Sequence, residues 1–526
     1  MKKWWGLCCA ICLSVAVVQA QTASYEEGDC PFIENDPEIS CGTLVTLQDY
    51  ANPADGEIVL QVVVIASTSD SPASAPIIYF EGGPGGSAIA AYSAWLESGL
   101  REYSDLILLD QRGTGFSLPL LNCIENDDPE LEDPVSACAS RLRDEEGIDL
   151  SDYNSANNAR DVAELVRAMG YDEVNLFGVS YGTRLALTVM RDYPELVRSV
   201  IIDAVYPPHV QAYEEQAPNA QDAFDALFEA CAADSACNAA YPELRQTLYD
   251  AVDALNAEPM LISDETGEVG EMTGDNFVDE LFQALYDPQQ IPYLPARIYA
   301  VYQGDSDYAN IGLAEDDLGA SDELLENPLD ALSEEEYFAA AASALGFESV
   351  EALDEYLASL SEEAYEDTLA QADALLLGEI DDDSEGMFHS VECVEEVPFN
   401  RYEVAEQMAE GVAPQIASAM LIGVDKQIAD CQVWDVSPAD ALENAPVVSD
   451  IPTLVMSGSF DPVTPPAWGE STASYLSNSS FWVFPLGHGS VDVDDCPTGM
   501  ALSFLNNLTP PDGSCIAGMA MEFYVD

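Results

Sequence analysis

The sequence predicts an α/β protein: a mostly parallel sheet with helices on both faces and a large inserted helical cap. Three observations carry this. Short apolar, β-branched runs alternate with helix-patterned stretches from about residue 42 to 205. The alternation stops near residue 207 and resumes near 447, and amphipathic helical segments dominate between those points. A strand-like run, a Gly-flanked turn and a helix-like run follow one another without a break across 173–190. At 526 residues and 48% apolar content, the chain can build a large core with a sizeable inserted part.

The elements follow in chain order. Lys2 and Lys3 precede an apolar run from Trp4 to Val18, and Val18-Gln19-Ala20 offers small residues for cleavage. Residues 1–20 therefore read as a secretory signal peptide, too short for a permanent span, and no later stretch is apolar enough to cross a bilayer. Runs 42–47 and 57–65, separated by a turn-rich 50–56, predict a hairpin at the sheet edge. Strands are expected at 76–80 and 105–110, then a helix at 155–169 with Val162, Leu165, Val166 and Met169 on one face. The elbow strand 173–177, its helix 183–190 and a strand at 197–205 complete the first part. In the insertion, helices are expected at 220–233, 274–285 and 334–375, with acidic solvated surface and linker at 354–383. Strands return at 453–456 and 481–484. The expected organisation is signal peptide 1–20, core 21–206, helical cap 207–446 and C-terminal core 447–526.

Composition narrows the partners. Asp and Glu number 97 against 15 Lys and Arg, a net charge of −82. Such a surface repels phosphates and anionic lipid, so neither nucleic acid nor stable membrane insertion is expected. Solubility in a salty medium accounts for the charge, and attraction of cationic substrates is the alternative. Cys8, Cys9 and Cys12 fall in the signal segment. The others are even in number and suggest neighbour pairing: 30–41, 123–138, 231–237, 393–431 and 496–515, with free buried thiols as the alternative. No C-x-x-C or Cys/His cluster suggests a metal, and no cofactor is expected. Export to the periplasm or the medium follows from the leader and the cysteines.

Gly178-Val179-Ser180-Tyr181-Gly182 reads G-x-S-x-G in the strand–turn–helix setting of a nucleophile elbow, which makes Ser180 the candidate nucleophile. A serine needs a base, and the base an orienting acid. His488, in Leu486-Gly487-His488-Gly489 past the last strand, is the expected base; His389 and His209 are the alternatives. Asp461, before Pro462-Val463-Thr464-Pro465, lies after a strand's C-terminal end and is the expected acid, with Asp203 as competitor. Two backbone N–H donors must meet the developing oxyanion. Tyr181 supplies one and Gly83, in Gly82-Gly83-Pro84-Gly85-Gly86, the other, with Gly82 left open. Asp110 and Arg112 are expected to brace the loop after their strand rather than touch substrate.

These motifs, in this order, resemble the tripeptidyl and prolyl aminopeptidase branch of the α/β-hydrolases, over nearly the whole chain after the leader. The resemblance implies an exported serine peptidase that releases short N-terminal pieces through an acyl-enzyme, with a cap closing over a peptide that has a free N-terminus. Prolyl aminopeptidases usually carry His before the Gly-Gly-Pro-Gly loop. Here Glu81 stands there, which points to the tripeptidyl, exported group. The family holds the substrate ammonium with cap carboxylates; Glu392, Glu395 and Glu396 are candidates by position, against plain surface charge. An esterase using the same triad, and a binding module that has lost chemistry, are the competing readings.

Overall fold

In the computed structural model the described residues are 23–311 and 383–525, except 29, 31, 32, 34, 35, 55, 128–130, 132 and 264–268, together with 338, 341, 350, 353, 357 and 369. The expected signal peptide lies outside them, as do most of the expected helix 334–375 and of the acidic stretch 354–383.

The strands, in chain order, are β1 (Ser24–Gly28), β2 (Ile39–Leu47), β3 (Glu57–Ile65), β4 (Ile77–Phe80), β5 (Leu106–Leu109), β6 (Val174–Val179), β7 (Val197–Asp203), β8 (Met260–Ser263), β9 (Val269–Met272), β10 (Thr453–Gly458) and β11 (Ser479–Phe484). Nine form one sheet in the order β1-β2-β3-β5-β4-β6-β7-β10-β11. From β5 to β11 every neighbouring pair is parallel; β1, β2 and β3 add an antiparallel flank. β2 and β3 form the expected hairpin, in register from Ile39↔Ile65 to Leu47↔Glu57. It is not the edge, because β1 pairs outside it. The mostly exposed Ser-Tyr-Glu-Glu-Gly of β1 has no apolar alternation to announce a strand.

Strand order reverses across β4: β5 lies on one side and β6 on the other. Above such a reversal the connecting loops leave in opposite directions and open a crevice at the strands' C-terminal ends. Both loops of interest, after β4 and after β6, leave from there.

Alternation along β4 divides its side chains between two cores. Ile77 and Tyr79 join one, Ile78 and Phe80 the other. On the second face, helix Ser155–Ala168 buries Ala159, Val162, Ala163, Leu165 and Val166 beside Leu185, Ala186 and Val189 of helix Tyr181–Asp192. Asn154 starts the former helix by accepting the Asn157 N–H. On the first face lie Met500, Ala501, Phe504 and Leu505 of helix Asp495–Asn507. Each buried aliphatic side chain contributes about 2 kcal/mol, enough to fix which helix face meets the sheet.

Between β7 and β10 the described residues are mainly helical, including Ala212–Ala233, Leu244–Ala257, Gly274–Ala284, Glu385–Glu395 and Pro414–Trp434. Phe224, Leu248, Phe277, Leu281 and Met420 form a further core cluster within this insertion, which Phe460 after β10 joins. It also contains the antiparallel pair β8–β9, where no strand was expected. Four-residue strands with Leu261 exposed carry too little periodicity to be read.

Disulfides join Cys30–Cys41, Cys123–Cys138, Cys231–Cys237, Cys393–Cys431 and Cys496–Cys515, as the spacings suggested. The widest links residues 38 apart and ties helix Glu385–Glu395 to helix Pro414–Trp434.

Candidate active site

Ser180 sits on the turn between β6 and its helix with φ 57° and ψ −128°. A non-glycine residue there costs on the order of 1–3 kcal/mol and persists only where its surroundings impose it. They do so through close backbone approach. A Cβ on Gly178 would overlap the Gly182 carbonyl, and one on Gly182 would overlap that of Phe80. A Cβ on Gly82 would come 2.8 Å from the Ser180 Cβ. The Ser180 N–H donates to the Asp203 carbonyl at 3.2 Å.

Asp461 follows β10 and is 1% exposed. Its Oδ1 accepts the N–H groups of Val463 and Thr464, both at 2.9 Å. Its Oδ2 accepts the Thr464 hydroxyl at 2.5 Å and faces His488 Nδ1 at 2.9 Å. A carboxylate only accepts, so Nδ1 carries the proton and Nε2 is left with a free lone pair. His488 lies past β11, where its N–H donates to the Tyr286 carbonyl at 2.8 Å, and the Tyr286 ring lies 4.6 Å from the imidazole. Burial alone would lower the His488 pKa; Asp461, and then Asp203 and Glu81, outweigh it and raise the pKa above the usual range.

Ser180 and His488 share the wall of a cavity of ≈ 520 Å³ with Glu81, Gly83, Ala91, Gln283, Tyr286 and Asp383 among others. Among the described residues no hydrogen bond joins the Ser180 hydroxyl to His488, a looseness common before substrate binds. Gly82 gives its N–H to the Glu81 carboxylate at 2.8 Å. Gly83 and Tyr181 donate to no acceptor among the described residues, and Tyr181 opens a helix, where N–H groups lack intrahelical partners.

The competing residues are engaged elsewhere. His209 Nε2 meets the Ser471 hydroxyl at 2.9 Å. His389 packs 5.1 Å from Trp434, and burial lowers its pKa to about 4. Asp203 accepts Ser490 N–H at 2.6 Å, the Ser490 hydroxyl at 2.8 Å and Val491 N–H at 2.9 Å, so it braces the loop that carries His488. Asp110 ties Ser87, Ile89 and Phe116 together, while Arg112 pairs with buried Asp161 at 2.8 Å.

The three insertion glutamates are neither surface charge nor cavity wall. Glu392, Glu395 and Glu396 are 3%, 1% and 1% exposed. Glu395 and Glu396 pair with Arg184 of the elbow helix at 3.2 and 2.8 Å. Glu392 accepts the Tyr213 hydroxyl at 2.9 Å. Sequence gave no view of that burial, nor of Tyr286 and Gln283 reaching the cavity. Thr464 had a signal, Asp-x-x-Thr, the spacing of a carboxylate that bonds its own turn.

Cys123, Glu125 and Cys138 lie close enough to suggest a metal site, but their sulfurs form a disulfide. Among the described residues no helix is long and apolar enough to cross a membrane.

A family model described as the alpha/beta hydrolase fold matches residues 75–295, and one described as TAP-like protein matches 420–515. Serine protease Hip1 of Mycobacterium tuberculosis is 25% identical over 513 residues, 90% of this chain and 86% of its own. The tripeptidyl aminopeptidases of Streptomyces coelicolor and Streptomyces lividans are each 30% identical over 220 residues, 37% of this chain and about two fifths of theirs (40% and 41%). The chain is a serine hydrolase of the tripeptidyl aminopeptidase-like branch of the α/β-hydrolases.

Proposed function

We propose that the chain is an exported aminopeptidase that releases short N-terminal peptides or residues through an acyl-enzyme. The observation that carries the reading is the 2.9 Å contact between His488 Nδ1 and Asp461, on a histidine that shares one cavity with Ser180. In this mechanism Ser180 attacks the scissile carbonyl while His488 Nε2 takes its proton. Asp461 holds the tautomer that leaves Nε2 able to accept, and stabilises the imidazolium that forms. The N–H groups of Gly83 and Tyr181 receive the oxyanion. His488 then protonates the leaving amine, and a water activated by the same ring releases the acyl group.

Residues 207–446 act as a cap in this reading, supported by Gln283 and Tyr286 on the cavity wall. Asp383 on the same wall and the net charge of −82 favour a substrate with a cationic end, such as a free N-terminus. The leader-like residues 1–20 and the five disulfides support export.

A panel of chromogenic aminoacyl and tripeptidyl anilides, each with a free and a blocked amine, tests the exopeptidase claim. Free-amine members should be turned over at least tenfold better. Equal turnover of blocked members would overturn it, and cleavage confined to small esters would favour an esterase.

A further inference from the structure

We propose that Glu81 is a positioning residue for the reaction at Ser180, its carboxylate fixing the loop after β4 and placing a negative charge on the wall of the cavity that His488 shares. This rests on the serine-hydrolase reading of the site. Glu81 is the first residue past β4, and both oxygens of its side chain are engaged. Oε1 accepts the Gly82 N–H at 2.8 Å, and Oε2 accepts the Tyr79 hydroxyl at 2.8 Å. Tyr79 is itself clamped, its ring 4.1 Å from that of Trp95 and 5.4 Å from that of Phe177. Gln111 donates to the Glu81 carbonyl at 3.2 Å, and the loop folds back so closely that a Cβ on Gly86 would lie 2.7 Å from the Glu81 stem.

The consequence is local and chemical. Gly82 lies against Ser180 and would be a natural oxyanion donor, but its N–H is committed to Glu81. Gly83, next along the loop, has an N–H without an acceptor among the described residues, as does Gly85 beyond it. Among the described residues the charged and titratable groups about His488 include Asp461 after β10, Asp203 at the end of β7, Glu81 after β4, the Tyr286 ring from the insertion and Asp383 on the same cavity wall. Those about Glu81 are the Tyr79 hydroxyl, Asp383 and His488. Burial pushes the Glu81 carboxyl up, the Gly82 N–H and Tyr79 hydroxyl pull it down, and Asp383 pushes it up again.

Two substitutions separate scaffold from charge. In Glu81→Gln, the amide oxygen can accept from Gly82 and its NH2 can donate to the Tyr79 oxygen, so the scaffold stays and the charge goes. Glu81→Ala removes both. The readouts are the pH dependence of Ser180 labelling by a fluorophosphonate probe, and kcat and KM on a free-amine aminoacyl anilide. Glu81→Gln should keep plateau kcat within about threefold while the acid limb moves down by roughly 0.5–1 pH unit, as expected when a carboxylate near an imidazole is neutralised. Glu81→Ala should lower kcat roughly 10–100-fold with KM within about threefold, less than the roughly 10²–10³ lost when an oxyanion donor is removed outright, because the Gly83 N–H is displaced and not deleted. If both variants match the wild type in rate and pH profile, the proposal fails. It fails equally if Glu81→Gln raises KM tenfold on free-amine substrates alone, since Glu81 would then be an amine ligand. Ser180→Ala keeps the two claims apart: activity that survives it overturns the reading of the site, whatever Glu81 does.

Discussion

Asp461→Asn should reduce kcat/KM by about 10³–10⁴, or roughly 4–5.5 kcal/mol of transition-state stabilisation. The direction follows from which oxygen does what. Oδ1 accepts two backbone N–H groups, so an asparagine oxygen would stay there. Its NH2 would replace Oδ2 and point a donor at His488 Nδ1. The imidazole could meet it only by moving its proton to Nε2, the atom that must accept from Ser180. The variant would thus hold the wrong tautomer in an unaltered site. The charge adds to this. Unit charges 2.9 Å apart interact by about 6 kcal/mol at an effective dielectric of ~20, which matches the top of the expected loss. The assay is kcat/KM against pH on a free-amine anilide, with thermal unfolding as a control for the fold. The wild-type acid limb should lie above the ordinary histidine range, because His488 is raised by Asp461 despite its burial, and should move down in the variant. A loss under tenfold with an unmoved limb would refute the reasoning.

Further outcomes follow from the same contacts. Gly182→Ala should destabilise the protein by about 2–4 kcal/mol and abolish probe labelling, because its Cβ overlaps the Phe80 carbonyl. Gly499→Ala, inside helix Asp495–Asn507 with nothing near its Cβ, should instead stabilise by roughly 0.5–1 kcal/mol in the same thermal assay. Burial first, and then Glu396, raise the Glu392 pKa to about 8 against Arg184. Its contribution to stability is therefore complete below about pH 4.5 and lost as pH rises through about 8. Glu392→Gln should flatten that fall, melting above the wild type at pH 9; parallel curves would contradict the assignment. Replacing Cys393 and Cys431 by serine should cost about 4 kcal/mol in denaturant unfolding, the loop entropy released by a crosslink of residues 38 apart.

What could be read from the sequence was what local chemistry dictates. The elbow announces itself because Gly178 and Gly182 leave room for backbone and nothing else. The parallel strands are legible because burial on both faces demands runs such as Ile77-Ile78-Tyr79-Phe80. The disulfides follow from short spacings in a chain with a leader-like start. Asp461 and His488 follow from the turns past β10 and β11, which the structure brings within 2.9 Å of each other. What stayed hidden depends on distant chain segments. Glu392, Glu395 and Glu396 look like any acids in a chain with 97 of them, until Arg184 of the elbow helix, the Tyr206 hydroxyl from the loop after β7 and the Tyr213 hydroxyl from helix Ala212–Ala233 close around them. Asp203, the competitor for the acid, follows a strand as Asp461 does, and what it holds, Ser490 and Val491 of the loop that carries His488, comes from a segment far along the chain. β1 has no pattern of its own and exists because β2 offers it an unpaired edge.

The central claim is that Ser180 is a nucleophile activated by His488 and Asp461. Reaction of the intact protein with a fluorophosphonate probe, followed by peptide mass spectrometry, tests it most directly. A single adduct on Ser180 is expected, absent in Ser180→Ala and slowed at least a hundredfold in His488→Ala. A wild type left unlabelled, or an adduct on another serine such as Ser471 beside His209, would contradict it.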